Sequence, residues 1–367
     1  MSRLKTVSIG GAMVDSIAII ADDRIEHMAM RNAQSSFLLL ESGRKVEAAE
    51  ISQHCGGGAI NTAVAMSRLG ADAATIVKLG RDTRAEMILR RLADEGVSTR
   101  WVMRDAALAT GASVIISSHE RDAAIFTFRG ANTLLREGDL REDMFGVDLV
   151  YVTSLSNESA DCFPAIVTAA KAAGARVATN PGIRQLTGRT DPFRASLGDI
   201  DVLTLNRLEA EALVPMLVSE FGEDTSPVED PDAGGTRELV RRGFSAGGYD
   251  LSLRGFMRAL TAGGVGNVLV TNGGDGAYLA QGNKLYHCPV APAEVAGTAG
   301  AGDAFASTFT YLLLENGDVA SALRAASLNA AAVISYADTQ SGLMMREDID
   351  RAAAGAASEL EVAAWEI

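Results

Sequence analysis

Ala296–Leu314 reads A-G-T-A-G-A-G-D-A-F-A-S-T-F-T-Y-L-L-L. Residues with almost no side chain run into Asp303 and then into an apolar pattern, Phe305, Phe309, Leu312 and Leu313, which predicts a tight loop opening an amphipathic helix. Gly300, Ala301 and Gly302 leave the backbone amides at the helix start uncovered. With the positive end of the helix dipole they make a place for a phosphate-like anion. A carboxylate in such a place repels phosphate, so Asp303 makes little sense as a phosphate ligand. It makes sense as a base that takes the proton of a hydroxyl about to attack phosphorus. Taken alone, the same residues also fit an ordinary helix start with an acid favourably placed on the dipole.

The 367 residues suffice for one large α/β domain with an appendage or for two domains, and 47% hydrophobic with 22% charged residues is ordinary for a globular chain. A formal net charge of −14 argues against a partner made of nucleic acid or an anionic membrane surface. Cys55, Cys162 and Cys288 form no CxxC and no even set, which points to a reducing, cytoplasmic compartment. His27, His54, His119 and His287 lack metal-ligand spacing. The basic start and the apolar run Thr6–Ala21 superficially resemble a signal peptide, but Asp15 interrupts the run and no A-x-A-like site follows. No apolar segment approaches the roughly 20 residues a bilayer requires.

From the N-terminus, Thr6–Ile9 is expected as a buried strand turning at Gly10-Gly11, and Ser16–Ala21 and Ser36–Leu40 as strands of a second sheet. Gly56-Gly57-Gly58 precedes a helix over Ala59–Leu69 with Asn61 in its first turn. Strands and helices then alternate in a βαβ rhythm: Thr75–Leu79, Leu149–Ser154, Arg176–Asn180, Val202–Asn206 and Asn267–Asn272, with helices at Thr83–Glu95, Ser159–Ala173 and Arg207–Leu217. A hairpin at Ala112–Ser118 and Ala124–Arg129 breaks the rhythm and is assigned to the second sheet. Gly276–Ala280 and Leu285–Pro289 read as an antiparallel edge. Three helices close the chain: Asp303–Glu315, Val319–Ala337 and Arg346 to the end. The pattern is α/β, a mostly parallel sheet with helices on both faces plus a second, smaller sheet that a partner, a ligand or the main domain must cover. The α/β domain takes residues 1–12, 53–110 and 131–367, the second sheet takes 13–52 and 111–130, and the Asp-, Pro- and Gly-rich stretch 221–266 is an expected insertion.

G-G-G-A-I-N-T-A-V-A-M-S-R-L-G (Gly56–Gly70) together with G-T-A-G-A-G-D-A-F (Gly297–Phe305) resembles the two signature motifs of the ribokinase-like (PfkB-type) carbohydrate kinases. The resemblance extends to N-P-G at Asn180–Gly182, N-R-L-E at Asn206–Glu209 and V-T-N-G-G-D-G-A at Val270–Ala277, and so covers the chain apart from 221–266. It implies a ribokinase-like fold, a doubly wound, mostly parallel α/β sheet whose small second sheet is a β-sheet lid, and an ATP-dependent sugar kinase with Asp303 as the base and Gly300, Ala301 and Gly302 as the anion hole. It also implies that Asn206 and Glu209 help hold Mg²⁺, mainly through water, with Asn180 near the phosphates. Thr271, Gly273 and Gly276 fall near the nucleotide, Asn329 near the adenine, and Asp15, Gly57, Gly58 and Asn61 at the acceptor. The acceptor may be a sugar, a sugar acid or a nucleoside; for a nucleoside base, Met13, Phe37 and Met66 are candidate lining.

Two readings from other classes compete. A nicotinamide-dependent oxidoreductase fits the α/β pattern, but the first strand ends G-G-A-M-V-D without G-x-G-x-x-G, and no P-loop occurs. A non-catalytic sugar-binding relative is opposed by the retained Asp303. The apolar runs Phe37–Leu40, Ile115-Ile116 and Ile125-Phe126 predict a homodimer through the lids. Where many relatives carry Asp and Thr that help to hold a monovalent cation, this chain has Gly297 and Ala299, so weak or absent K⁺ activation is expected.

Overall fold

Six short runs, Asp72–Ile76, Lys5–Ile9, Leu149–Val152, Arg176–Thr179, Val202–Asn206 and Asn267–Thr271, lie side by side and parallel in that order. Their residues are almost all buried, and strands without a polar face are stable only when both faces of the sheet are covered. Register places Val7 between Val150 and Ala74. Ala277–Gln281, Lys284–Cys288 and Ala363–Glu366 then pair antiparallel to complete a nine-stranded sheet. One face carries the helices Phe163–Ala172, Arg207–Phe221 and Leu253–Ala262, packed through Ile166, Leu213 and Phe256. The other carries Gly58–Arg68, Thr83–Asp94, Ala301–Asn316 and Val319–Ile334, packed through Ile60, Ile88, Phe309 and Leu323. The structure is a computed structural model and describes residues 3–21, 26–29, 36–39, 43, 45–118, 123–228, 237–356 and 360–367. Among them no helix is long and apolar enough to cross a membrane.

A separate four-stranded sheet has the order Ala123–Phe128, Gly111–Ser118, Met13–Ile20, Glu50–Gly56. The last of these was expected as a loop leading into the glycine helix. It forms a strand because Val14 to Ile19 offers it a full antiparallel ladder, and it runs to Gly56, past the expected boundary at residue 52. Ser36–Leu39, expected in the same sheet, instead pairs with Glu26–Ala29 in a two-stranded ladder of its own. The side chains of residues 36–38 and the whole of residue 40 lie outside the described residues.

Two further expectations are corrected. The last helix stops at Gly355, and A-A-W-E at Ala363–Glu366 joins the sheet edge; the side chains alternate in and out, Trp365 packing against the core. The stretch 221–266 is not one insertion. Its start ends the helix Arg207–Phe221, and its close is the helix Leu253–Ala262, whose Leu253, Phe256 and Leu260 are fully buried on the main sheet. Between them lie the short helix Glu238–Arg242 and the hairpin Phe244–Ala246 with Tyr249–Leu251.

Candidate active site

The parallel strands end on one side of the sheet, and the loops there carry the candidate residues, as expected for a doubly wound sheet. Gly300 caps the helix Ala301–Asn316 with φ of 82°, a left-handed conformation that disfavours any side chain. A Cβ there would also lie 2.7 Å from Thr339 Cβ, so the loop needs glycine for two reasons. The first helical hydrogen bond runs from Ala304 N–H to Gly300 O at 2.9 Å, which leaves the amides of Ala301, Gly302 and Asp303 without helical acceptors. Gly302 is exposed, with nothing within 4 Å of where a Cβ would sit. The free amides and open space that an anion hole needs are both present at this helix start.

Asp303 is partly buried on the first turn of this helix. Burial pushes its carboxyl above the ordinary carboxylate range, against the pull of the Asn61 amide, whose Nδ2 donates to Asp303 Oδ2 at 2.8 Å. Asn61, 4% exposed, is itself fixed. Its Oδ1 accepts from Thr339 Oγ1 at 2.9 Å and from Gln340 Nε2 at 3.0 Å, while Arg91 Nε donates to Gln340 Oε1 at 2.9 Å. Two donors on Oδ1 force the NH₂ end of Asn61 toward the carboxylate. Asn61 was expected as an acceptor contact. The structure shows it also orienting Asp303, and it adds Thr339 and Gln340, which the sequence analysis passed over. Their only sequence trace is the small polar run D-T-Q-S-G at Asp338–Gly342, just beyond the helix expected over Val319–Ala337, which in the structure stops at Ile334.

Asp15 approaches the same place from the small sheet. Its cross-strand neighbours are His54 and Ser113, and Ser113 Oγ donates to its Oδ1. Burial raises its pKa, while the Ser113 bond and the His54 charge act in the opposite direction. A side chain at Gly56 would collide with Asp15 Oδ2 and reach Thr339 Oγ1, so Asp15 stands beside the Thr339–Asn61–Asp303 chain. Gly57, at φ of 99°, lies so close to the first loop that a Cβ would sit 2.5 Å from Gly11 O. Gly58 packs against Thr153. Of the four residues expected at the acceptor, Asn61 touches the carboxylate, Asp15 stands next to its Thr339 brace, and Gly57 and Gly58 form the tight start of the helix that carries Asn61.

Among the residues expected near the nucleotide, N-R-L-E forms a capping box: Asn206 Oδ1 accepts from Glu209 N–H, and Glu209 Oε2 accepts from Asn206 N–H, both at 2.9 Å. Asn180 Nδ2 donates to the same Oε2 at 3.1 Å, which ties three of the expected residues together. Glu209 Oε1 has no hydrogen-bond partner among the described residues. Burial and the negative charge of Asp303 raise the Glu209 pKa, so the two carboxylates share one field. Thr271 ends its strand at the loop Gly273–Asp275, and Gly276 follows at φ of 93°. Asp275 braces this loop by accepting from Asn272 Nδ2, Tyr278 Oη and the backbone of Glu238. Asn329 departs from its expected place near adenine: it is completely buried, donates to Thr308 Oγ1 at 2.8 Å and accepts from Met344 N–H at 2.9 Å, so it joins two helices from within. Met66 is likewise fully buried in the core and faces no acceptor cleft.

The family model described as pfkB family carbohydrate kinase matches residues 24–224 and 254–345. A deoxyribokinase of Salmonella typhi is 26% identical over 330 residues, covering 89% of this chain and 94% of its own. An ATP-dependent ribose-1-phosphate kinase of Halopiger xanaduensis is 28% identical over 276 residues, covering 75% of this chain and 78% of its own. The structure of Arabidopsis thaliana ribokinase complexed with ribose and ATP superposes with a TM-score of 0.70 at 20% identity, covering 96% of this chain and 99% of that one, which shows a shared fold. A family match that spans both glycine loops and breaks only at 225–253 decides the matter: the chain belongs to the pfkB family of carbohydrate kinases, phosphotransferases that act on a sugar hydroxyl.

Proposed function

We propose that the protein transfers the γ-phosphoryl group of ATP to a hydroxyl of a small sugar, with Asp303 as the general base. The observation that carries this reading is a carboxylate of raised pKa at the mouth of an open helix N-terminus, aimed by Asn61. A base titrating closer to neutrality shares the acceptor proton more readily, and the amides of Ala301 and Gly302 meet the charge that collects on the phosphoryl oxygens. Asp15 accepts hydrogen bonds from the other hydroxyls of the acceptor, while Gly57 and Gly58 let it approach the backbone. The small sheet serves as the lid that keeps water from the reaction.

The nucleotide lies over Thr271, Gly273 and Gly276, with its phosphates near Asn180 and Asn206. Mg²⁺ fits the donor set here: Glu209 presents one unengaged carboxylate oxygen beside the charge of Asp303, which suits a hard cation that keeps its water. Among the described residues no group of three or more His, Cys, Asp or Glu could hold a metal by itself, so an ion held here by Glu209 and Asn206, mainly through water, would depend on the bound nucleotide as well. Bound there, the ion neutralises charge on the phosphates. A screen of sugars, sugar acids, sugar phosphates and nucleosides for ATP-dependent ADP release tests the reading; no release with any of them overturns it. A nucleoside acceptor is the second reading, favoured by a cavity of about 400 Å³ in which Ile17, Ile19, Ile115 and Ile125 of the lid face the loop Glu294–Ala299.

The carbonyl oxygens of Tyr336 and Ala337 lie nearest the Cβ position of Gly297, at 3.2 and 3.6 Å, and glycine itself brings no side-chain anion to offset the dehydration of a cation. K⁺ is therefore expected to raise turnover less than about twofold at constant ionic strength; saturable stimulation well above that, absent with choline, defeats the expectation. Cys55, Cys162 and Cys288 are all free, in keeping with a cytoplasmic protein. The outer face of the lid exposes Ile51 (72%), Val114 (46%), Phe126 (59%) and Phe128 (49%), which supports a homodimer formed face to face. Ile115 and Ile125, once expected at that interface, instead line the cleft. Phe126→Glu is expected to give a monomer by light scattering where the parent gives a dimer; a monomeric parent rejects the interface.

A further inference from the structure

Beside the acceptor loop lies a recess of about 50 Å³ walled by Gly10, Gly11, Gly58, Ser154, Ser156 and Arg129, and Arg129 is the one charged residue on its lining. The guanidinium donates from Nη1 to Ser156 Oγ at 2.8 Å and has no carboxylate partner among the described residues. Acids are not scarce in this chain, with 47 against 33 Lys and Arg, so a half-buried cation left without one is notable. Burial and the positive charge of Arg184 both push the Arg129 pKa down, which places a second guanidinium close by. A half-buried guanidinium held near a second cation is unfavourable unless an anion visits it.

The recess is also in the right place. Gly58 opens the helix whose next turn carries Asn61, and Asn61 holds Asp303. One turn is about 5 Å of rise, so a wall of the recess and the residue that holds the base are neighbours on one helix.

We propose that this recess binds an anionic substituent of the acceptor through Arg129, with Arg184 assisting, so that the preferred acceptors are sugar phosphates or sugar acids rather than neutral sugars. The planar guanidinium matches either oxyanion in a forked pair of hydrogen bonds. Arg129 is a specificity-determining residue and has no part in moving the proton. The turnover side of this inference rests on the kinase reading above; the binding side does not.

Calorimetric binding and ADP release are measured on the full chain with pentose and hexose monophosphates, their parent sugars and the corresponding aldonic acids. The wild-type protein is expected to bind at least one monophosphate or aldonic acid about tenfold or more tightly than its parent sugar, the gain from a hydrogen-bonded charge. Arg129→Gln is expected to abolish that preference while leaving parent-sugar affinity within about twofold. Arg184→Gln, an exposed position that leaves the fold unchallenged, is expected to reduce the preference by about three- to tenfold. An Arg129-dependent gain for phosphates but not aldonic acids identifies the substituent as phosphate, and the converse identifies carboxylate. Equal binding of anionic and neutral acceptors by the wild type, or a preference untouched in both variants, overturns the proposal. Arg-dependent binding without ADP release keeps the recess and rejects the kinase reading.

Discussion

Replacing Asp303 with Asn is expected to leave about 1% or less of the turnover while changing ATP and acceptor affinities little, since a positioned general base supplies roughly 10²–10⁴ in rate. Asn keeps the shape and can still accept from Asn61 Nδ2, so the helix mouth stays as it is. The same substitution is expected to stabilise the protein. Burial raises the folded-state pKa of Asp303, so the folded chain binds this proton more tightly than the unfolded one does. Stability then falls as pH rises from the unfolded pKa through the folded one, and the loss persists at neutral pH. Asn carries no such loss, and a rise in Tm of about 1–3 °C at pH 7, shrinking toward pH 4, is the expected signature. Steady-state kinetics and a pH series of melting curves check both halves. Retention of more than about a tenth of kcat excludes Asp303 as the base.

The second large effect is expected at Asn61. In Asn61→Leu, Thr339 and Gln340 lose their shared acceptor and Asp303 loses its donor. Stranding buried polar groups costs about 1–3 kcal/mol each. Turnover is expected to fall about a hundredfold, because a misaimed base forfeits most of the 10²–10⁴ it supplies. The bond from Asn61 is what lowers the Asp303 pKa, so its removal moves the acid limb of the kcat profile to higher pH. Gln340→Leu, which leaves Asn61 in place but one donor short, is expected to move the limb in the same direction by less. A variant whose KM alone rises, with the pH profile unmoved, reduces Asn61 to an acceptor contact.

Features that depend on near neighbours were legible in the sequence. Alternating buried runs and helices announced the parallel sheet, and N-R-L-E is a capping pattern within four residues, so Asn206 and Glu209 could be placed before their partners were seen. The loop Gly300–Asp303 was legible because a tight turn into a helix constrains its residues locally. What escaped depends on pairing across the chain. Glu50–Gly56 carries no strand signal of its own and becomes a strand only against Met13–Ile20, and Ala363–Glu366 is short enough to pass for a helix end until the sheet edge receives it. Thr339 and Gln340 look like any polar loop, since their role lies in a side chain more than 270 residues away. Asn329 misled for the converse reason: a polar residue on a helix suggests a ligand contact, whereas here both ends of its amide are engaged inside the core.

The hydrogen bonds that aim Asp303, the proposed base, have a bearing on how the chain acquires its activity. They join Asn61 to Asp303, Thr339 and Gln340, partners 242, 278 and 279 positions away. Contacts of such long range close late, because the entropy of bringing distant segments together has to be overcome before they give any return. During synthesis the N-terminal part emerges first, with Asn61 on a helix whose apolar face still lacks its cover from Ala301–Asn316. On the proposed reading, catalytic competence waits for the segment from Asp303 to Gln340, which supplies both the base and the groups that brace Asn61. Until that segment has been made and docked, the onset of phosphoryl transfer is held back however much of the sheet has formed.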